Sequence, residues 1–200
     1  MTHRIITISR QFGSGGRLIG RAIAQHEKFE FYDKEIIEQI SERSGFSKEY
    51  IKEEDEVSKK SGLLEALTSG DFYEHSSRVA IWEEQCSVIL QMAEKGPCVF
   101  VGRAADYILK SHYPLLKVFV YADNEFKIAK VMEQRHLNRA EAIQKITDMD
   151  KRREMYYELF TDQKYGDMAN YNLCLNASMM SVEECAQIII ETYKVLEKGL

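Results

Sequence analysis

The 200-residue sequence has no C-x-x-C pair, only two prolines, no cluster of histidines and no excess of positive charge. Each absence excludes something. Its four cysteines, Cys86, Cys98, Cys174 and Cys185, are far apart, and Cys98 and Cys174 sit inside apolar runs, so they read as buried free thiols rather than a disulfide framework or zinc site. The five histidines, His3, His26, His75, His112 and His136, never pair at a metal-binding spacing, which argues against a transition-metal enzyme. Lys+Arg 27 against Asp+Glu 32 gives a net charge of −5, so the chain does not coat polymeric nucleic acid, and any phosphate site must be built locally. No apolar run reaches membrane-spanning length, and the short one at the N-terminus meets Arg10 too soon to be a signal peptide. A soluble, cytoplasmic protein is expected.

What is present suffices for a folded core. Apolar residues make up 44% of the chain, enough for a single domain over 1–200 to bury most of its apolar surface without disulfides. Short β-branched or apolar runs at 5–8, 29–32, 98–101, 115–121 and 172–175 alternate with helical spacings. The first helix carries Leu18, Ile19, Ala22 and Ile23; Asp33 stands where an N-cap would open the second; 74–94 is helical and stopped by Lys95-Gly96-Pro97. Asp123-Asn124 opens a helix through Arg135, a charged helical stretch follows from His136 to Phe160, and an amphipathic helix from Ser181 to Leu196 ends the pattern. Residues 45–73 lack a clean period and read as short helices and loops. Strands alternating with helices predict a three-layer α/β fold around a mostly parallel five-stranded sheet.

Three clusters carry chemistry. Between the first strand and first helix lies Arg10-Gln11-Phe12-Gly13-Ser14-Gly15-Gly16-Arg17, a glycine-rich turn where backbone N–H groups and a helix N-terminus can converge on phosphate. It is not a Walker A loop: with Arg17 at the lysine position, Gln11 replaces the leading glycine and Leu18 the hydroxyl residue. A purely structural turn is the alternative. The second cluster, Val101-Gly102-Arg103-Ala104-Ala105-Asp106, follows a buried strand, where an arginine can fork onto a phosphate or pair at a helix start. The third gathers Arg135, Arg139, Asp150, Lys151, Arg152 and Arg153 on the charged helical stretch. Such arginines suit closure over a polyphosphate, and equally a solvated helix face.

Together the segments Ile8–Arg17, Phe31-Tyr32-Asp33-Lys34-Glu35-Ile36-Ile37 and Gly96–Leu109 resemble the cytidylate kinase-like family, relatives of the P-loop nucleoside-monophosphate kinases. Weaker echoes are Asp150-Lys151-Arg152-Arg153 and Tyr171–Ser178. The resemblance implies a P-loop kinase-like fold with an acceptor-binding region near 33–95 and a helical lid near 135–160. It also implies transfer of the γ-phosphoryl of ATP, with Mg²⁺, to a nucleoside monophosphate, CMP or dCMP by family analogy. Carried over by position, Arg10, Gly13, Ser14, Gly15, Gly16 and Arg17 would hold donor phosphates. Asp33, Arg78, Gly102, Arg103 and Asp106 would face the acceptor, and Arg135, Arg139, Asp150, Arg152 and Arg153 would form the lid. Arg17, Arg103 and Arg153 are the catalytic candidates; Asp106 and Ser14 are the candidate protein anchors for a magnesium ion held mainly by phosphates. Compared with cytidylate kinase, the loop lysine and the acidic residue before Gly102 are missing, and Asn172 stands where an aspartate is usual. Two rival readings follow: a nucleotide-binding regulatory protein without catalysis, and a kinase for another small acceptor. A homo-oligomer is left open.

Overall fold

The computed structural model describes residues 5–55 and 72–197. Five strands, β1 (Ile5–Arg10), β2 (Glu30–Tyr32), β3 (Cys98–Val101), β4 (Leu115–Tyr121) and β5 (Leu173–Asn176), form one sheet in the order β2-β3-β1-β4-β5. Every neighbouring pair is parallel, so the expected mostly parallel sheet is parallel throughout. The first strand is longer than its apolar run predicts. Ser9 and Arg10 continue the ladder opposite Phe119 and Val120, because the seven-residue β4 supplies backbone partners beyond Ile8.

Alternation along β1 divides the core. Ile6 and Ile8 face α1 (Gly16–Glu27) and α8 (Val182–Glu197), packing with Ile19, Ile23, Cys185 and Ile189. Ile5 faces the other way, toward α2 (Lys34–Ser44), α4 (Phe72–Glu94) and α5 (Ala105–Leu109), with Ile36, Ile89 and Leu109. This is the predicted three-layer arrangement: strands buried on both faces read as continuous apolar runs. In the poorly patterned stretch, α3 (Lys48–Asp55) is helical and α4 starts at Phe72; residues 56–71 lie outside the described residues.

Two helices follow β4. α6 (Asn124–Arg135) ends at His136 in the left-handed region, φ 53°. α7 (Arg139–Thr161) starts at a capping box in which Asn138 accepts from the Glu141 N–H and Glu141 accepts from the Asn138 N–H. A small apolar cluster of Ile128, Val131, Ala142 and Ile146 joins the two helices. The charged stretch thus becomes one 23-residue helix that lies across the carboxyl ends of the strands, the edge where open α/β sheets bind ligands.

Candidate functional site

The turn after β1 is shaped by what lies beneath it. Gly13 has φ 82°, and a Cβ there would come within 3.1 Å of both the Lys127 carbonyl and Val131 Cγ2, so only glycine lets the loop settle on α6. Ser14 Oγ donates to the Gln11 carbonyl at 2.9 Å and is fully enclosed. Lys127, a lysine only 5% exposed, supports the loop from below: its Nζ donates to Gln11 Oε1 at 3.2 Å and lies 3.9 Å from Asp150.

Two cavities open at this edge. One, about 390 Å³, is lined by Gly13, Ser14, Gly15 and Gly16 on one side and by Phe126, Met180 and the start of α8 on the other. The other, about 570 Å³, is lined by Asp33, Ile37, Lys48, Arg103, Arg152 and Tyr156. Arg10, Phe12, Arg17, Arg135 and Arg153 line both. Four arginines therefore stand at one seam.

Arg10 lies deepest. Its backbone is held by Tyr165, whose hydroxyl donates to the Arg10 carbonyl at 2.8 Å and accepts from its N–H at 3.0 Å. Burial, with the like charge of Arg153 next in weight, pushes its guanidinium down to about 10. Among the described residues no side chain or carbonyl accepts a hydrogen bond from that guanidinium, which lies against Gly102. Arg17, on the first turn of α1, is 44% exposed and pairs through Nε with Asp33 at 2.5 Å. The Asp33 side chain makes that ion pair and does not cap α2.

The turn after β3 is strained. Gly102, Arg103 and Ala104 have φ of 81°, 60° and 50°, three successive left-handed residues of which two carry side chains. Gln85 on α4, buried to 0% exposure, donates through Nε2 to the Arg103 carbonyl at 2.9 Å, and its Oε1 lies 3.5 Å from Arg103 Nη1.

α7 reaches the loop through two groups. Asp150 Oδ1 accepts from the Phe12 N–H at 2.5 Å, and Arg153 Nη1 donates to the Arg10 carbonyl at 2.8 Å while its guanidinium lies over the Phe12 ring. Burial raises the Asp150 carboxyl above its ordinary range. Farther along α7, Tyr157 donates to Asp106 Oδ2 at 2.7 Å.

Not every candidate joins the seam. Arg139 makes a double ion pair with Glu125 on α6, at 2.7 and 2.9 Å, with both residues more than half exposed; it lines neither cavity. Arg78, half-buried on α4, lines neither of the two. Asp106 does not fit as a magnesium anchor. It is 3% exposed, enclosed behind Tyr157, and absent from both linings; burial raises its carboxyl, against hydrogen bonds that lower it. The smaller cavity has no carboxylate in its lining; unlike Asp106, Ser14 lines it, with its hydroxyl proton given to the Gln11 carbonyl and its oxygen lone pairs remaining, and Asp33 is the carboxylate across the seam, paired with Arg17. Mg²⁺ needs only one or two protein oxygens when phosphates and water complete its shell.

Sequence reasoning passed over Gln85, Lys127, Tyr156 and Tyr165. For Gln85 a signal existed: it stands at i+3 from Trp82 and i−4 from Ile89, a polar residue on an apolar stripe. Lys127 and Tyr165 carry no such mark.

The fold has counterparts. A crystal structure of an uncharacterized protein from Eubacterium ventriosum is similar over 95% of this chain and 98% of that one, with 28% identity and a TM-score of 0.71. Shikimate kinase from Acinetobacter baumannii, solved in complex with shikimate, shares the fold at a TM-score of 0.54 and 16% identity, covering 100% of this chain and 96% of its own. Shikimate kinase from Bacteroides thetaiotaomicron does so at 0.55 and 15%, over 97% and 99%. A comparison with curated protein sequences gives no match. The sequence profile of the cytidylate kinase-like family matches residues 5–179, a span running from β1 through β5 that holds the loop, the strained turn and α7. With all three clusters inside that span, this chain belongs to the cytidylate kinase-like family.

Proposed function

We propose that the protein is a kinase that transfers the γ-phosphoryl of ATP to a small phosphorylated acceptor, a nucleoside monophosphate, with CMP or dCMP the acceptor suggested by the family. The observation that carries this reading is the seam: Arg10, Arg17, Arg135 and Arg153 line both cavities, one bounded by the glycine loop and one by Arg103. Phosphoryl transfer asks for in-line positioning and neutralisation of charge spread over the transferring group, which arginines at a seam supply.

In this reading the donor phosphates rest on Gly13–Arg17 and the acceptor phosphate on Arg103. An acceptor phosphate oxygen attacks the γ-phosphorus as the bond to the β–γ bridging oxygen breaks, and ADP leaves. Arg10 and Arg153, which line both cavities, stabilise the equatorial oxygens. Mg²⁺ bound with ATP would neutralise donor charge, with Ser14 as the loop hydroxyl beside it. α7 covers the seam and limits water.

A second observation favours a phosphorylated acceptor over a neutral hydroxyl. A hydroxyl nucleophile needs a base, whereas a phosphate oxygen is already ionised. Both carboxylates lining the larger cavity are paired, Asp33 with Arg17 and Glu38 with Lys48 at 3.3 Å.

The test is a coupled ADP-release assay with Mg-ATP across CMP, dCMP, UMP, AMP and GMP, run beside Arg17→Ala and Arg103→Ala. Turnover with a pyrimidine monophosphate is expected, and Arg103→Ala should abolish acceptor affinity with little change in Tm. Binding of ATP without turnover on any acceptor would favour the regulatory reading, whose support is the absent loop lysine. Turnover only with a non-nucleotide acceptor would identify a different substrate.

A further inference from the structure

Gln85 is the least expected polar residue in the protein. It is completely buried on a helix face that otherwise carries Trp82, Ile89 and Met92 into the core, where an unsatisfied amide is costly. Both ends of its amide are engaged, by groups from two other parts of the chain. Nε2 donates to the Arg103 carbonyl at 2.9 Å; Oε1 accepts from the Tyr156 hydroxyl at 2.8 Å and lies 3.5 Å from Arg103 Nη1. One side chain thus joins the turn after β3 to α7.

Both partners are informative. The Arg103 carbonyl comes within reach of Gln85 at a residue held at φ 60°, between two others in the left-handed region, so the strained turn and the buried amide hold each other in place. Tyr156 lies on the half of α7 that carries Asp150 and Arg153, the two groups touching the glycine loop. Around this bond, Trp82 stacks on Phe160 with ring centroids 4.5 Å apart and planes 9° from parallel, and meets Tyr156 edge-on at 6.5 Å.

We propose that Gln85 is a positioning residue that makes the grip of Arg103 on an anionic acceptor depend on where α7 lies. The proposal rests on reading Arg103 as the acceptor arginine. The chemistry is a competition for one carbonyl oxygen. With the Tyr156 hydroxyl donating to Oε1 at 2.8 Å, the second bond to that oxygen, from Arg103 Nη1, is long at 3.5 Å and is readily exchanged for a phosphate in the larger cavity. When Tyr156 withdraws, Oε1 becomes the better acceptor for Nη1 and draws the guanidinium back. Donor and acceptor sites are then coupled through one helix, because whatever moves Arg153 moves Tyr156 as well.

The variants are Tyr156→Phe, which removes one hydroxyl and keeps the ring contacts, and Gln85→Glu, which offers Arg103 a carboxylate in place of the amide. Titration calorimetry gives Kd for CMP and ATP, and the emission of Trp82, the one tryptophan of the chain, follows α7 against α4. Tyr156→Phe is expected to weaken CMP by about five- to tenfold. It should leave the affinity for ATP alone within about twofold and shrink the factor by which bound ATP tightens CMP. Gln85→Glu should weaken CMP further, and the loss should lessen relative to the parent protein as pH falls and the carboxyl is neutralised.

Unchanged CMP affinity in both variants overturns the proposal, as does an equal loss of CMP and ATP affinity accompanied by a fallen Tm, the mark of a merely structural residue. If the parent protein binds neither nucleotide, the kinase reading fails separately, and inorganic pyrophosphate becomes the probe. A Trp82 emission change with pyrophosphate that is lost in Arg103→Ala and in Tyr156→Phe upholds the coupling. No change in the parent protein, or one that persists in both variants, overturns it.

Discussion

The guanidinium of Arg10 lies against Cα of Gly102, so the ends of the neighbouring strands β1 and β3 are matched side chain to bare backbone. A single methyl group at residue 102 would occupy the space of Arg10 Nη1. The φ of 81° at Gly102 adds a second, independent demand for glycine.

Gly102→Ala is therefore expected to lose about 1–3 kcal/mol of stability from the left-handed backbone alone. It should also displace Arg10 from the seam. Urea unfolding with an ADP-release assay separates the two effects: a folded variant with an unmoved kcat would show that Arg10 has no part in turnover.

Arg10 and Arg17 are expected to differ sharply. Arg17 is half-exposed and paired with Asp33, whereas Arg10 is partly buried and faces both cavities, with no hydrogen-bond acceptor for its guanidinium among the described residues. Arg10→Met should lower kcat by about 10²–10³, the scale of one lost preorganised donor to a charged transition state. Arg17→Met should cost less than about tenfold, as for a partly exposed ion-paired charge. Steady-state kinetics with Mg-ATP measure both, and the reverse ranking would assign the missing lysine's work to Arg17.

Asp106 predicts a pH dependence of stability. Burial raises its folded pKa despite the Tyr157 hydrogen bond, so the folded state holds its proton more tightly than the unfolded chain does. Its contribution is fully present below the ordinary carboxylate range and is lost as pH rises through the raised folded value. Asp106→Asn keeps a carbonyl for Tyr157 and removes the charge. Urea midpoints from pH 4 to 8 should fall less steeply for the variant, and parallel profiles would show that the carboxyl ionises without cost.

Much of the architecture is legible in the residues themselves. Continuous apolar runs such as Cys98–Val101 announce strands buried on both faces, and Gly13 and Gly102 mark the two turns that need left-handed backbone. The extension of β1 through Arg10 is not legible, because it depends on the length of β4, a partner 105 residues away at its first residue. The arginines of the site are visible as a group, yet their division is not. Arg139 and Arg153 stand on the same helix and look alike in sequence, but the helix turn that carries Arg153 over Phe12 sends Arg139 to Glu125. Asp106 looks like a ligand and is an internal partner of Tyr157, since nothing local records that α7 would close over it. Gln85 was legible in principle, as a break in an apolar stripe.

A last consequence concerns the charge outside the site. The protein as a whole carries −5, yet the larger cavity alone is lined by Arg10, Arg17, Lys34, Lys48, Arg103, Arg135, Arg152 and Arg153 against Asp33 and Glu38. The remaining surface must then be more acidic than the net charge suggests. A cationic well inside an anionic shell acts as an electrostatic sieve: a small phosphorylated molecule that has crossed a Debye length of about 8 Å meets only attraction, while a long polyanion is repelled along the rest of its length.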